Sequence, residues 1–88
     1  MPKRFKDERM ELVISRLIRS LMVSEGVSYE ELCQKLNAEG VVQTPSTLRT
    51  KVSGGSLGAP LFMHILGALG VARLDVETAF EKYRDLKS

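Results

Sequence analysis

The chain has 88 residues, with 13 Lys+Arg against 11 Asp+Glu, a net charge of +2, and 43% hydrophobic against 27% charged residues. That is ordinary globular composition, which excludes a disordered tail, and so short a chain is expected to form one domain, 1–88, with little room for an enclosed substrate pocket. A single cysteine excludes an internal disulfide and a cysteine-based metal site, and neither a membrane-spanning apolar run nor a signal peptide is recognisable, so a reduced, cytoplasmic setting is expected.

Apolar residues recur at helical spacing throughout. Met10, Val13, Ile14, Leu17, Ile18 and Leu21 form one stripe, with Arg9, Arg16, Arg19 and Ser20 on the other side. This predicts a first helix from about Lys6 to Ser24, ended by Gly26 in the left-handed conformation. The charged residues before it (Lys3, Arg4, Lys6 and Arg9, with Asp7 and Glu8 among them) suggest a basic arm over 1–9. Ser28-Tyr29-Glu30-Glu31 has the pattern of a capping box, Ser28 and Glu31 satisfying each other's free amides. It opens a second helix, with Leu32, Cys33 and Leu36 inward, that continues through Asn37-Ala38-Glu39 to Gly40.

Val41-Val42-Gln43 is a connector, and Thr44-Pro45 is the next start signal: the residue before proline is extended, which suits an N-cap, and proline fits the first helical position. The third helix runs from Pro45 to about Ser53, anchored by Leu48 and Val52 and stopped by Gly54-Gly55. A fourth helix spans Ala59 or Pro60 to Leu69, with Leu61, Phe62, Ile65, Leu66 and Leu69 as core, Gly70 ending it and Val71 beneath the turn. Asp75 caps a fifth helix striped by Val76, Ala79, Phe80 and Tyr83. No stretch of useful length alternates with period two, so the fold class is all-α, five short helices around one core.

Charge is unevenly placed along these elements. Residues 1–40 balance, and residues 75–88 are slightly acidic, whereas Val41 to Leu74 contain Arg49, Lys51 and Arg73 and no acid at all. An acid-free basic segment is what a polyanion meets without repulsion; equally, a stretch rich in Gly, Ser, Thr and apolar residues simply has few charges.

The order of signals is informative. A capping-box helix is followed by a glycine-containing connector, a short Ser/Thr/basic helix from Thr44 to Val52, a glycine-rich stop, and an apolar helix ending in Gly67-Ala68-Leu69-Gly70-Val71. From about Leu12 to Val71 this resembles the helix-turn-helix domain of the lambda/434 repressor and Cro type, also called the xenobiotic-response-element type. Within that superfamily it looks most like a group of small uncharacterised bacterial proteins. The resemblance implies a five-helix lambda-repressor-like domain with the motif over about 28–53 and the third helix in the major groove of double-stranded DNA. It also implies Thr44, Ser46, Thr47, Thr50 and Lys51 as base contacts.

Backbone contacts are expected from Ser28 and Tyr29 at the start of the second helix, where free amides and the helix dipole favour a phosphate. Others are expected from Arg49 and Ser53, from Gly55 and Ser56 after the third helix, and from Lys3 and Arg4 in the arm. Three features depart from the family pattern. Tyr29 stands where the related domains commonly have glutamine, no basic residue lies near Gly54, and the stretch from Leu36 to Leu48 is about three or four residues longer than usual. The last predicts an extra turn on the second helix.

Other signals have ordinary readings. Glu31 is explained by the capping box and Glu30 by a solvated face. Cys33 is a buried small hydrophobe. His64 lacks a partner for metal binding or catalysis, and the glycines at 54, 55 and 58 follow no strand and precede no Gly-Lys-Ser/Thr. The expected function is sequence-specific DNA binding by a bacterial or phage-type transcriptional regulator, cytoplasmic and nucleoid-associated when DNA-bound, without enzymatic activity, cofactor, metal or small-molecule ligand. A homodimer is expected, because one helix reads too few base pairs; the fifth helix, with Phe80 and Tyr83, is the interface unless its stripe covers the first helix of its own chain. The alternative is a protein–protein interaction module, antitoxin-like or an adaptor, that keeps the fold without binding DNA.

Overall fold

The computed structural model describes residues 7–87, which form α1 (Glu8–Glu25), α2 (Tyr29–Ala38), α3 (Pro45–Gly54), α4 (Ala59–Ala68) and α5 (Val76–Lys87), with no strand among the described residues. The starts follow side-chain chemistry. Asp7 accepts from the Met10 amide at 3.0 Å, so α1 begins at Glu8 rather than Lys6, and Glu8 and Arg9 belong to the helix, not to an arm. Lys3, Arg4 and Lys6 lie outside the described residues. At α2 the capping box is complete: the Glu31 amide donates to Ser28 Oγ at 3.1 Å, and the Ser28 amide donates to Glu31 Oε1 at 3.2 Å. Thr44 caps α3 by accepting from the Thr47 amide at 3.1 Å, with Pro45 at the first helical position.

The ends share one device. The amides of Val27, Val41, Ser56 and Val71 reach back to the carbonyls of Met22, Leu36, Lys51 and Leu66, at 2.9, 2.9, 3.3 and 2.9 Å. In each case the preceding glycine has a positive φ, the hydrogen-bond pattern of a Schellman motif. Val27, Val41 and Val71 then fold under the turn onto the core. As expected, α2 continues past Leu36 through Asn37 and Ala38, with Glu39 as its C-cap and Gly40 ending it. Gly40 turns the chain, and the Gln43 amide donates to Asn37 Oδ1 at 3.1 Å, tying the connector back to the helix it leaves.

Ile18, Leu32, Leu36, Leu48, Val52 and Ile65 are fully buried, joined by Met22, Cys33, Leu61 and Leu69 in one cluster contributed by α1 to α4. Each such side chain contributes about 1.5–3 kcal/mol by leaving water. Burial also pushes the Cys33 thiol up from its ordinary value.

α3 packs on α1 and α2, α4 on α2, and α5 on α1. The approach of α3 to α1 is close enough that a Cβ on Gly55 would fall on the Glu11 carbonyl. One and two turns along the same face of α1, Ser15 is buried and Arg19 donates to Ser53 Oγ at 2.7 Å. Small groups at 15 and 55 thus let two backbones approach.

α5 is held more loosely, every described side chain of it being half-buried or exposed. Ala79 and Leu86 turn toward α1, while Val76 and Phe80 stay 53% and 41% exposed, and Phe80 meets Tyr83 edge-on at 6.0 Å. The stripe therefore covers α1 with one margin and leaves the other open.

Candidate functional site

The most distinctive surface is built on α3. Leu48 and Val52 are locked in the core, and because successive residues on a helix step by about 100°, this fixes what the opposite side presents. Ser46, Thr47, Thr50 and Ser53 are exposed there, with Thr44 at the N-cap. Not one acid lies between Val41 and Leu74 to interrupt them.

The hydroxyls are already partly engaged. Thr44 Oγ1 donates to Thr47 Oγ1 at 2.8 Å, and Thr50 Oγ1 donates to the Ser46 carbonyl at 3.1 Å. Thr44 and Thr50 thus keep lone pairs to accept with, while Thr47 keeps its proton to donate.

The two cations of α3 are not a pair. Arg49 and Lys51 are two positions apart, about 200° around the helix, so they flank opposite edges of the polar face. Lys51 is half-buried, whereas Arg49 is exposed and lays its guanidinium over the Tyr29 ring, 5.2 Å from the centroid. That cation–π contact is worth about 0.5–1 kcal/mol at an exposed site. It joins α3 to the first turn of α2, bringing Tyr29 and Arg49 together, while Ser28 at the cap donates its amide and hydroxyl to Glu31.

Past α3 the expectation changes. The Gly55 amide donates to the Val52 carbonyl at 3.1 Å and the Ser56 amide to that of Lys51 at 3.3 Å, so both amides are spent closing the helix. Gly55 itself is buried against α1. Ser56 is exposed on this loop, and Ser53 Oγ accepts from Arg19 while keeping its own proton to donate.

Sequence reasoning missed the α1 side of this region. Arg19, Met22 and Val23 join Val27, Tyr29 and Arg49 around an open groove of about 640 Å³ between α1, the start of α2 and α3. Val23 is 83% exposed there. Helical periodicity placed Arg19 on the polar side of α1, but nothing local shows that its polar side faces α3, which begins 26 residues later.

Among the described residues no three His, Cys, Asp or Glu side chains gather closely enough to hold a metal ion, and no helix is long and apolar enough to cross a membrane.

Fold and surface together define a small all-α domain of five helices whose third helix exposes an acid-free hydroxyl face. The chain belongs to the family described as Domain of unknown function (DUF6471), whose profile matches residues 11–74, from the first half of α1 to just before α5. No curated protein and no solved structure matches the chain.

Proposed function

We propose that this chain is a sequence-specific DNA-binding domain of the lambda/434 repressor and Cro type, acting as a transcriptional regulator, with α3 in the major groove. The observation that carries the reading is α3 itself. It is pinned by two core side chains, capped at its start, and turned outward with hydroxyls and no carboxylate, beside an arginine and the N-terminus of α2.

Hydroxyls and cations of this kind bond base edges, and α2's free amides suit a backbone phosphate. In this reading Thr44, Ser46, Thr47 and Thr50 meet bases, with Lys51 reaching in from one flank. Tyr29 and Arg49 meet the backbone, while Ser28, whose amide and hydroxyl both donate to Glu31, acts as the cap that sets the start of α2. The domain works through binding and carries out no catalysis.

A single α3 spans too few base pairs for specificity, so the reading requires two copies on a two-fold site. The open margin of α5, Val76 and Phe80, with Tyr83 half-buried beside Phe80, supports self-association there. That same margin is the observation favouring the second reading, a protein-interaction module that uses the fold without DNA.

Selection from a randomised duplex pool decides between them. Binding to DNA enriches inverted half-sites spaced by about one helical turn, 10–10.5 base pairs, or a multiple of it. Thr50→Glu, at the centre of the exposed face, abolishes the enrichment. A pool that stays random through successive rounds with the folded protein overturns the DNA reading.

A further inference from the structure

The groove between α1, the start of α2 and α3 has a chemistry that a DNA phosphate does not use up. Its lining is mainly carbon, from Met22, Val23, Val27 and Tyr29, and Val23 is 83% exposed. Its rim carries Arg19 and Arg49, neither of which has a carboxylate partner within ion-pair distance among the described residues.

Arg19 spends one of its five N–H donors on Ser53, and Arg49 rests a face on Tyr29, which leaves the edge of its fork free. The one acid on the lining, Glu31, is already committed to the amide and hydroxyl of Ser28, at 3.2 and 3.1 Å. Two guanidiniums against that one carboxylate leave the groove apolar within and net positive at its edge.

We propose that the groove binds a small organic carboxylate with an aromatic or alkyl body. The carboxylate takes the free guanidinium edges, a geometry in which arginine forms paired, charge-assisted hydrogen bonds. The body covers Val23 and Val27, the burial that a bare phosphate cannot supply. A volume of about 640 Å³ is in the range of small-molecule sites. Arg49 is also the side chain that the DNA reading assigns to a backbone phosphate, so on that reading ligand and DNA exclude one another.

The test uses no nucleic acid, which keeps it separate from the DNA reading. The full chain, labelled for NMR, is titrated with 1-naphthoate, its neutral counterpart 1-naphthamide, and inorganic phosphate. The proposal expects saturable shifts confined to the groove lining, in the Val23 and Val27 methyls and the Arg19 and Arg49 side chains, with 1-naphthoate. It expects about tenfold weaker binding by 1-naphthamide and no methyl shift with phosphate. Arg49→Gln weakens 1-naphthoate about tenfold, and Val23→Ser weakens it several-fold; both sites are exposed, and an unchanged amide spectrum checks that each variant folds. Shifts scattered over the surface, no saturation up to the solubility limit, or 1-naphthamide binding as tightly as 1-naphthoate overturns it.

Discussion

Gly55 is where the position of α3 is decided, and its replacement by alanine is the sharpest test of the packing described above. Two costs add there. The backbone at Gly55 has φ 66°, where an L side chain is disfavoured by about 1–2 kcal/mol. The added Cβ also falls on the Glu11 carbonyl, which is helix backbone and cannot rotate away, so α1 and α3 must separate. Overpacking of this kind costs a further 1–3 kcal/mol, roughly.

Gly26 is the internal control: it has nearly the same φ, 67°, and ends α1 with the same hydrogen bonds, but nothing lies within 4 Å of its Cβ position. Gly26→Ala should therefore cost about 1–2 kcal/mol and Gly55→Ala about 2–5 kcal/mol. In a domain of this size each kcal/mol lowers the melting temperature by about 4–8 °C, which separates the two variants clearly in thermal and urea unfolding followed by circular dichroism. Equal losses for the two glycines would refute the close approach of α1 and α3.

Three further outcomes follow from individual contacts. Ser28→Ala, which empties the α2 capping box, should destabilise the protein by about 1 kcal/mol in urea titrations, while Ser24→Ala, at an exposed α1 position, should change it little. Asp75 accepts from the Thr78 hydroxyl at 2.7 Å and the Thr78 amide at 3.0 Å, and these bonds hold its carboxyl below the ordinary 3.8. A lowered carboxylate contributes stability that is complete above 3.8 and fades as pH falls through the folded value. Acid titration of the wild type should thus loosen the start of α5 below about pH 4, and Asp75→Ala should lack that part of the acid transition. If α5 carries the self-association proposed here, Phe80→Asp should shift sedimentation from dimer to monomer without changing helicity, because Phe80 is already 41% exposed.

Most of the fold was legible because its helix ends are written in short-range chemistry. Ser28-x-x-Glu31, Thr44-Pro45 and the glycines at 26, 40, 55 and 70 each act within a few residues, and a single sequence displays such signals directly. The start of α1 was displaced because Asp7, counted as a charge in an arm, serves as a cap. The end of α2 was legible too, because Gly40 in the left-handed conformation closes the helix just past Ala38, and the Asn37–Gln43 hydrogen bond then ties the connector back to it.

The exposed residues of α3 could likewise be named once Leu48 and Val52 were assigned inward. What could not be read was how α3 meets α1. The Arg19–Ser53 bond spans 34 residues, Gly55 abuts a backbone 44 positions earlier, and neither leaves a periodic mark. The sequence separated Lys51 from Arg49 only by expected role, and the packing adds that Lys51 is half-buried on one flank while Arg49 stacks on Tyr29.

The central claim is that α3 meets DNA, and a salt series of fluorescence-anisotropy titrations against random-sequence duplex tests it most directly. Neutralising phosphates requires log K to fall linearly with log salt, by about 0.9 for each phosphate contacted. The account predicts measurable binding at low salt, a slope reduced by roughly that amount in Arg49→Glu, and a clear loss of affinity in Thr50→Glu and Lys51→Glu. Absence of binding at low salt, or variants indistinguishable from the wild type, would contradict it.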